Sequence, residues 1–364
     1  MKLGIIGLTN VGKTCLFNAM TGQEADTSNY MFGTTTANVG TVTVPDARLD
    51  WLSELYEPKK TTFATIDFMD MPGLVKGASK GEGLGNKFLA NVRQVDALLQ
   101  VVRCFDDENV AHADGSVDPE RDMETINLEL IVSDIDIVER RIERAKKNAK
   151  GDKKFLAEAE LLERLQAHLE EGLPARSFQC SDEERAVIAQ SEVLSLMPMI
   201  YVANLSEDAF TGGYADDPYY LQVKQAAQRD GCSILPICAE LEMELAQLEP
   251  EERQEFLDDL GIAESGLDRL IHESYALLGL ISFLTAGKDE CRAWTVRKGS
   301  TAPVAAGKIH SDLQRGFIRA EVVGFEDLKA CGSIAGAKTK GLFRVEGKTY
   351  VVQDGDVINI LFNV

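Results

Sequence analysis

Lys2-Leu-Gly-Ile-Ile-Gly7-Leu-Thr-Asn10-Val-Gly12-Lys13-Thr14, followed at once by Cys15-Leu-Phe-Asn-Ala-Met20, is an apolar run, a glycine-bounded turn and a helix-compatible segment in succession. Residues 7–14 fit G-x-x-x-x-G-K-[ST], and the strand before and helix after them are the context in which that pattern cradles phosphate. Its glycines let successive backbone amides turn inward around phosphate oxygens. Lys13 places a cation at the β- and γ-phosphates, and the helix N-terminus adds the positive end of its dipole. Thr14 offers a hydroxyl to a magnesium ion. Asn10, Val11, Gly12, Lys13, Thr14 and Cys15 are therefore nucleotide-binding candidates, with Lys13 also acting on the reacting phosphate.

Outward from this loop, apolar β-rich runs recur at residues 65–69, 98–102, 199–203 and 233–237, with helix-compatible segments between most of them. That alternation predicts a parallel α/β sheet. The interval from Val102 to Met199 is far longer than a crossover helix needs, so an insertion is expected there, at about residues 122–197. Ile131, Ile135, Val138, Ile142, Ala145 and Ala149 alternate steps of four and three. Phe155, Ala159, Leu162 and Leu169 resume the repeat after Gly151-Asp152, as in an antiparallel coiled-coil hairpin. Around that turn lie Arg140, Arg141, Arg144, Lys146, Lys147, Lys150, Lys153 and Lys154. They read equally as a solvated helix face or as an RNA contact. After residue 280 short β-like runs (293–296, 316–323, 342–345, 350–352, 357–362) predict a small β-rich terminal domain.

The 364 residues allow two or three domains at about 150 residues each. With 45% hydrophobic and 27% charged residues and no apolar run of membrane-spanning length, a soluble protein without a membrane partner is expected. The N-terminus reads as a first strand rather than a signal peptide, which points to the cytoplasm. Seven cysteines without a Cys-x-x-Cys pair read as reduced thiols. A net charge of −21 opposes non-specific coating of nucleic acid, though a local basic patch remains compatible with RNA.

Asp70-Met-Pro-Gly73 closes the second apolar run, where an acid reaches the magnesium shell and a glycine amide senses the γ-phosphate. Phe32-Gly33-Thr34-Thr35-Thr36 supplies hydroxyls in a loop, any one of which would complete the metal shell; it also reads as a polar turn. The glycine-rich stretch 73–86 suits a segment ordered by the γ-phosphate and released after hydrolysis. Asn204-Leu205-Ser206-Glu207 stands where guanine-specific proteins of this class carry Asn-Lys-x-Asp. Glu207 is a methylene longer than the guanine-reading aspartate, and Leu205 replaces the lysine over the ring. A guanine site is thereby weakened, and the Asn204 amide becomes a candidate partner for adenine; alternatively, Glu207 is merely exposed.

Together these motifs resemble the YchF family of Obg-related P-loop proteins. The resemblance extends to Phe283-Leu-Thr-Ala-Gly287, Arg292-Ala-Trp-Thr295, Ala305-Ala-Gly-Lys-Ile-His310, Gly316-Phe-Ile-Arg-Ala320 and Asp354-Gly-Asp356. It implies a nucleotide domain over 1–280 interrupted by the coiled coil, then a β-grasp-like TGS domain over 281–364. It further implies a magnesium-dependent ATPase that tolerates GTP less well, with a ribosome or RNA partner. Leu205 would pack by the base, Thr34 would join Thr14 and Asp70 on magnesium, and Gly73 would meet the γ-phosphate. Leu74 stands where many GTPases have a water-orienting glutamine, and the resemblance offers His112 as the substitute. Asn10 matches the asparagine of potassium-activated relatives, which makes potassium a second expected cation. Departures are Asp70-Met-Pro-Gly73 for Asp-Ile-Ala-Gly, Thr14 for serine, and Gly33-Thr-Thr-Thr36 for a cysteine-containing turn. The last leaves the choice between Thr34 and Thr35 open. Two alternatives compete: a nucleotide-gated binding scaffold with incidental hydrolysis, and a conventional GTPase.

Overall fold

Four consecutive residues of the first strand, Leu3 to Ile6, are buried, as a strand covered on both faces requires. The computed structural model describes residues 1–22, 37–74, 84–149, 151–152 and 154–363. Thr34, Lys150 and Lys153, and most of the glycine-rich stretch after Leu74, lie outside them. The strands are β1 (Lys2–Ile6), β2 (Asn38–Thr43), β3 (Thr61–Thr62), β4 (Thr65–Asp70), β5 (Ala97–Cys104), β6 (Met199–Leu205), β7 (Ser233–Ile237), β8 (Leu280–Thr285), β9 (Cys291–Arg297), β10 (Phe317–Gly324), β11 (Arg344–Glu346) and β12 (Asp356–Phe362). The helices are α1 (Lys13–Thr21), α2 (Ala47–Tyr56), α3 (Leu84–Val92), α4 (Pro119–Asn148), α5 (Lys154–Glu170), α6 (Asp182–Ala189), α7 (Glu207–Gly212), α8 (Pro218–Asp230), α9 (Ala239–Leu245), α10 (Pro250–Asp259), α11 (Gly266–Leu277), α12 (Ala302–Ile309), α13 (Ser311–Arg315), α14 (Phe325–Cys331) and α15 (Ile334–Thr339). No helix among the described residues is long and apolar enough to cross a membrane.

Two compact units emerge, Met1–Gly40 with Asp67–Leu267, and Thr41–Ile66 with Asp268–Val364. In the first, β4, β1, β5, β6 and β7 lie side by side, all parallel. β5 and β6 are buried along their whole length, so their apolar runs are continuous rather than alternating.

The insertion begins with α4, whose start is fixed by the Asp118 side chain accepting from the Arg121 N–H and by Pro119 in the first turn. Thirty residues at about 1.5 Å each give a rod of about 45 Å. Only five residues separate the end of α4 from the start of α5, and contacts of Glu139 with Gln166, Arg141 with Glu158 and Lys146 with Glu163 link the two helices along their length, so the chain doubles back into an antiparallel pair. Its core holds Ile131, Val138, Ile142, Leu161, Leu162, Leu165 and Leu169, but also Ala175, Phe178, Ile188 and Val193 from the returning chain. The hairpin is thus not a bare two-helix coil. Asp134, fully buried, takes the backbone N–H groups of Leu194 and Ser195, both at 2.7 Å, and fastens that returning segment to α4.

The second unit is built on a mixed sheet in the order β11-β10-β12-β8-β9-β3. β8–β9, β10–β11 and β10–β12 are antiparallel, whereas β12–β8 and β3–β9 are parallel. Its core joins Phe283, Val296, Phe317, Val322 and Ile358 to Ala302, Ala305 and Ala306 of α12. Two features differ from the sequence expectation. Helices α12 to α15 interleave with the strands, because alanine-rich 302–309, entered through Pro303, packs its small side chains flat on the sheet. Residues 41–66 also belong here rather than with the phosphate loop: Thr61 and Thr62 pair with Cys291 and Arg292, and Arg48 reaches Asp354 at 2.8 Å.

Candidate functional site

Strand register delivers the site. Ile5 lies opposite Asp70 and Leu99, Arg103 opposite Asn204, and Asn204 opposite Ile237. The residues that leave β1, β4, β5, β6 and β7 therefore meet along one carboxyl edge, the place where open parallel sheets bind ligands.

At its centre Lys13 is 6% exposed, and its ammonium donates to the Leu8 carbonyl oxygen. Burial lowers its pKa to about 8, against the opposing pull of Asp70. Asp70 is 5% exposed and is itself pushed up by burial, with Lys13 and Thr14 acting the other way. Thr14 Oγ1 donates to Asp70 Oδ2 at 3.0 Å, while Asp70 Oδ1 is buried with no hydrogen-bond partner among the described residues. A buried carboxylate oxygen without a donor is costly, and a divalent cation satisfies it. The pair Thr14 and Asp70 fits magnesium on that ground.

Gly12 has φ +95°, and a β-carbon on it would run into the Asn204 amide, so only glycine closes this turn. Asn10 has φ +59°, a conformation asparagine tolerates better than most residues. Its Nδ2 donates to Ala111 O at 3.0 Å, tying the phosphate loop to the loop that carries His112. Gly73 lies against the backbone of Thr9, and the Leu74 N–H donates to Gly7 O at 3.1 Å, so the Asp70–Gly73 turn is fastened to the phosphate loop. Val11 is buried, and Cys15 is half-buried with its thiol pKa raised by burial.

Base-side residues are placed differently from the sequence reading. Asn204 is 4% exposed; its Nδ2 donates to Val11 O at 3.0 Å and its Oδ1 accepts the Ala239 N–H at 2.9 Å. Both ends of the amide are thus spent on joining the phosphate loop to the β7–α9 turn, and a two-point pairing with adenine would require breaking them. Leu205 is 2% exposed, covered by protein rather than offered to a base. Ser206 caps α7 by accepting the Ala209 N–H, and Glu207 is exposed in that helix's first turn. The turn at Cys238-Ala239, absent from the sequence reading, joins the site through a backbone amide, which leaves no side-chain signature.

His112 does not face the phosphate loop freely. Its Nε2 lies 2.8 Å from Asp122 Oδ2, and its Nδ1 accepts the Asp114 N–H at 3.1 Å. Arg103, 2% exposed, supports the same loop by donating to the carbonyls of Phe105 (3.0 Å), Asp107 (3.2 Å) and Val110 (2.9 Å). Arg103 is detectable in sequence as a charge ending an apolar strand; Asp122 looks like any acid in a helix's first turn.

A glycine-bounded phosphate loop after a central parallel strand, with a buried lysine and a Thr14–Asp70 pair, defines a P-loop nucleotide hydrolase of the GTPase-like class. Residues 2–141 match the family model described as 50S ribosome-binding GTPase, and residues 280–363 match the YchF-GTPase_C model, described as a protein of unknown function. The Ribosome-binding ATPase YchF of Bacillus subtilis (strain 168) is 52% identical over 365 residues, spanning 100% of both chains. The protein of that name from Escherichia coli O157:H7 is 48% identical over 100% of this chain and 99% of its own. The solved structure of the Schizosaccharomyces pombe YchF GTPase superposes with a TM-score of 0.86 at 36% identity, covering 99% of this chain and 97% of that one. The chain belongs to the YchF family.

Proposed function

We propose that this chain is a slow, magnesium-dependent ATPase that accepts GTP less well and passes its nucleotide state to a ribosome or RNA partner. The observation that carries the reading is buried Lys13 and Asp70 with half-buried Thr14 between strand β4 and the phosphate loop, where one carboxylate oxygen, unpartnered among the described residues, calls for a cation. Full-length relatives named for ribosome-binding ATPase activity support the nucleotide and the partner. Thr14 and Asp70, with Thr34 from the sequence reading, would hold magnesium, which when bound supplies positive charge to the phosphate oxygens. Lys13 would bind the β- and γ-phosphates. Preference for ATP rests on Leu205 and Glu207 standing where a guanine site needs lysine and aspartate; the Asn204 amide acts by bracing the site. Asn10 spends its Nδ2 on Ala111 and keeps Oδ1 for potassium, and equal turnover in potassium and sodium buffers would remove that role.

Leu74 is buried and aliphatic, so it orients no water, and His112 takes that task after leaving Asp122. His112→Ala is expected to lower ATP turnover by about a hundredfold while ATP affinity stays within about twofold. Undiminished turnover would favour the scaffold reading, which the engagement of both ring nitrogens also supports. In this reading residues 281–364 form a TGS-type domain that, like the hairpin, receives the nucleotide state.

A further inference from the structure

His112 has no ring nitrogen to spare. Nδ1 accepts the Asp114 N–H, which leaves the proton on Nε2, and Nε2 donates it to Asp122 Oδ2 at 2.8 Å. The two side chains are 5% and 4% exposed, so water does not compete for this bond. Asp122 is itself held: its Oδ1 accepts from Arg121 Nη2 at 3.1 Å and Nε at 3.3 Å, and Arg121 is anchored by Ser116 Oγ at 3.2 Å and Ser116 O at 2.5 Å. Asn10 and Arg103 hold the backbone of the same loop through its carbonyls.

Asp122 belongs to the first turn of α4, the helix that continues for thirty residues into the inserted hairpin. We propose that Asp122 is a positioning residue that keeps His112 in reserve, so that the foot of the hairpin sets how often the histidine is free to reach the nucleotide. The juxtaposition supports a latch rather than an aligning partner. An aligning carboxylate holds one ring nitrogen and leaves the other free for the substrate, as in a hydrolase triad, whereas here the second nitrogen is taken by Asp114. A shift of the first turn of α4 moves Asp122 and releases the ring, whereas a nucleotide alone has to compete with the bond. The inference rests on His112 taking part in hydrolysis.

The test is steady-state ATP turnover by the full-length chain carrying Asp122→Ala, Asp122→Asn, His112→Ala, or Asp122→Ala with His112→Ala. Loss of one charge-assisted hydrogen bond shifts a two-state equilibrium by about tenfold or more. Asp122→Ala is therefore expected to raise kcat about tenfold with KM unchanged. Asp122→Asn, a weaker neutral acceptor, falls between it and the parent, and the double variant drops to the His112→Ala level. Nitrogen-15 spectra of His112 are expected to show a protected Nε2–H in the parent and its loss in Asp122→Ala. If kcat in Asp122→Ala is unchanged or lowered while His112→Ala is inactive, the latch is wrong and the catalytic role of His112 stands. If His112→Ala turns over like the parent, both fail. Should Asp122→Ala not fold, Asp122→Asn decides, since no rise in its kcat overturns the proposal.

Discussion

Lys13 is a lysine whose burial has a measurable consequence. With its pKa lowered to about 8 from 10.5, it is largely neutral at pH 9 in the unliganded protein. A triphosphate beside it favours the charged form, so ATP binding takes up a proton in that range. ATP affinity is expected to fall as pH rises above 8, and calorimetry in buffers of different ionisation heat should register proton uptake at pH 9 but not at pH 7. Pairing with Asp70 does not reverse this sign, since burial is the larger cause. Asn204 gives a second outcome at this scale. Asn204→Ala removes two buried hydrogen bonds and strands the Ala239 N–H, so unfolding free energy should drop by about 2 kcal/mol in urea titrations, with weaker binding of ATP and GTP alike. A selective loss of ATP would restore a direct base contact. The phosphate loop was legible because its residue types are dictated by chemistry: only glycine closes Gly12, and only lysine supplies that reach. The use of Asn204 was not, since an amide reads the same whether it holds a base or a backbone.

Among elements, the joint between hairpin and sheet concentrates buried polar groups. Asn127 of α4 donates to Tyr201 of β6 and to Asp230 of α8, each at 2.9 Å, and accepts from Arg176 on the returning chain. Arg176 and Asp230 are 6% and 3% exposed at the side chain and lie 3.9 Å apart. Asp230→Ala leaves that guanidinium buried without its carboxylate and is expected to cost about 3 kcal/mol of unfolding free energy, read from thermal or urea unfolding. A loss under about 1 kcal/mol would mean that the joint repacks without it. Heptad spacing exposed α4 and α5 because a period of 3.5 leaves a trace in every turn. The joint is invisible to that pattern: Asn127, Arg176, Tyr201 and Asp230 come from four separate segments, and nothing local marks them.

At the scale of the molecule, the distribution of charge bears on the partner. Near the hairpin turn, Arg141, Lys146 and Lys154 pair with Glu158, Glu163 and Asp152, which neutralises part of the basic cluster noted in the sequence. Arg144 and Lys147 are exposed beside them. Reversing both to glutamate is expected to reduce cosedimentation with ribosomes several-fold at low salt, with ATP turnover unchanged; full retention would move the interface elsewhere. The assignment of residues 41–66 to the second unit escaped the sequence reading because its evidence is pairing across more than two hundred residues, Thr61 with Cys291 and Arg48 with Asp354. The proposed site, with Lys13, Thr14 and Asp70 on the phosphates and Leu205 and Glu207 disfavouring guanine, is put to trial by titrating nucleotide-free chain with ATP and GTP in magnesium buffer. Tighter binding of ATP and loss of both on Lys13→Ala are expected; a strong preference for GTP would overturn the proposed ATP specificity.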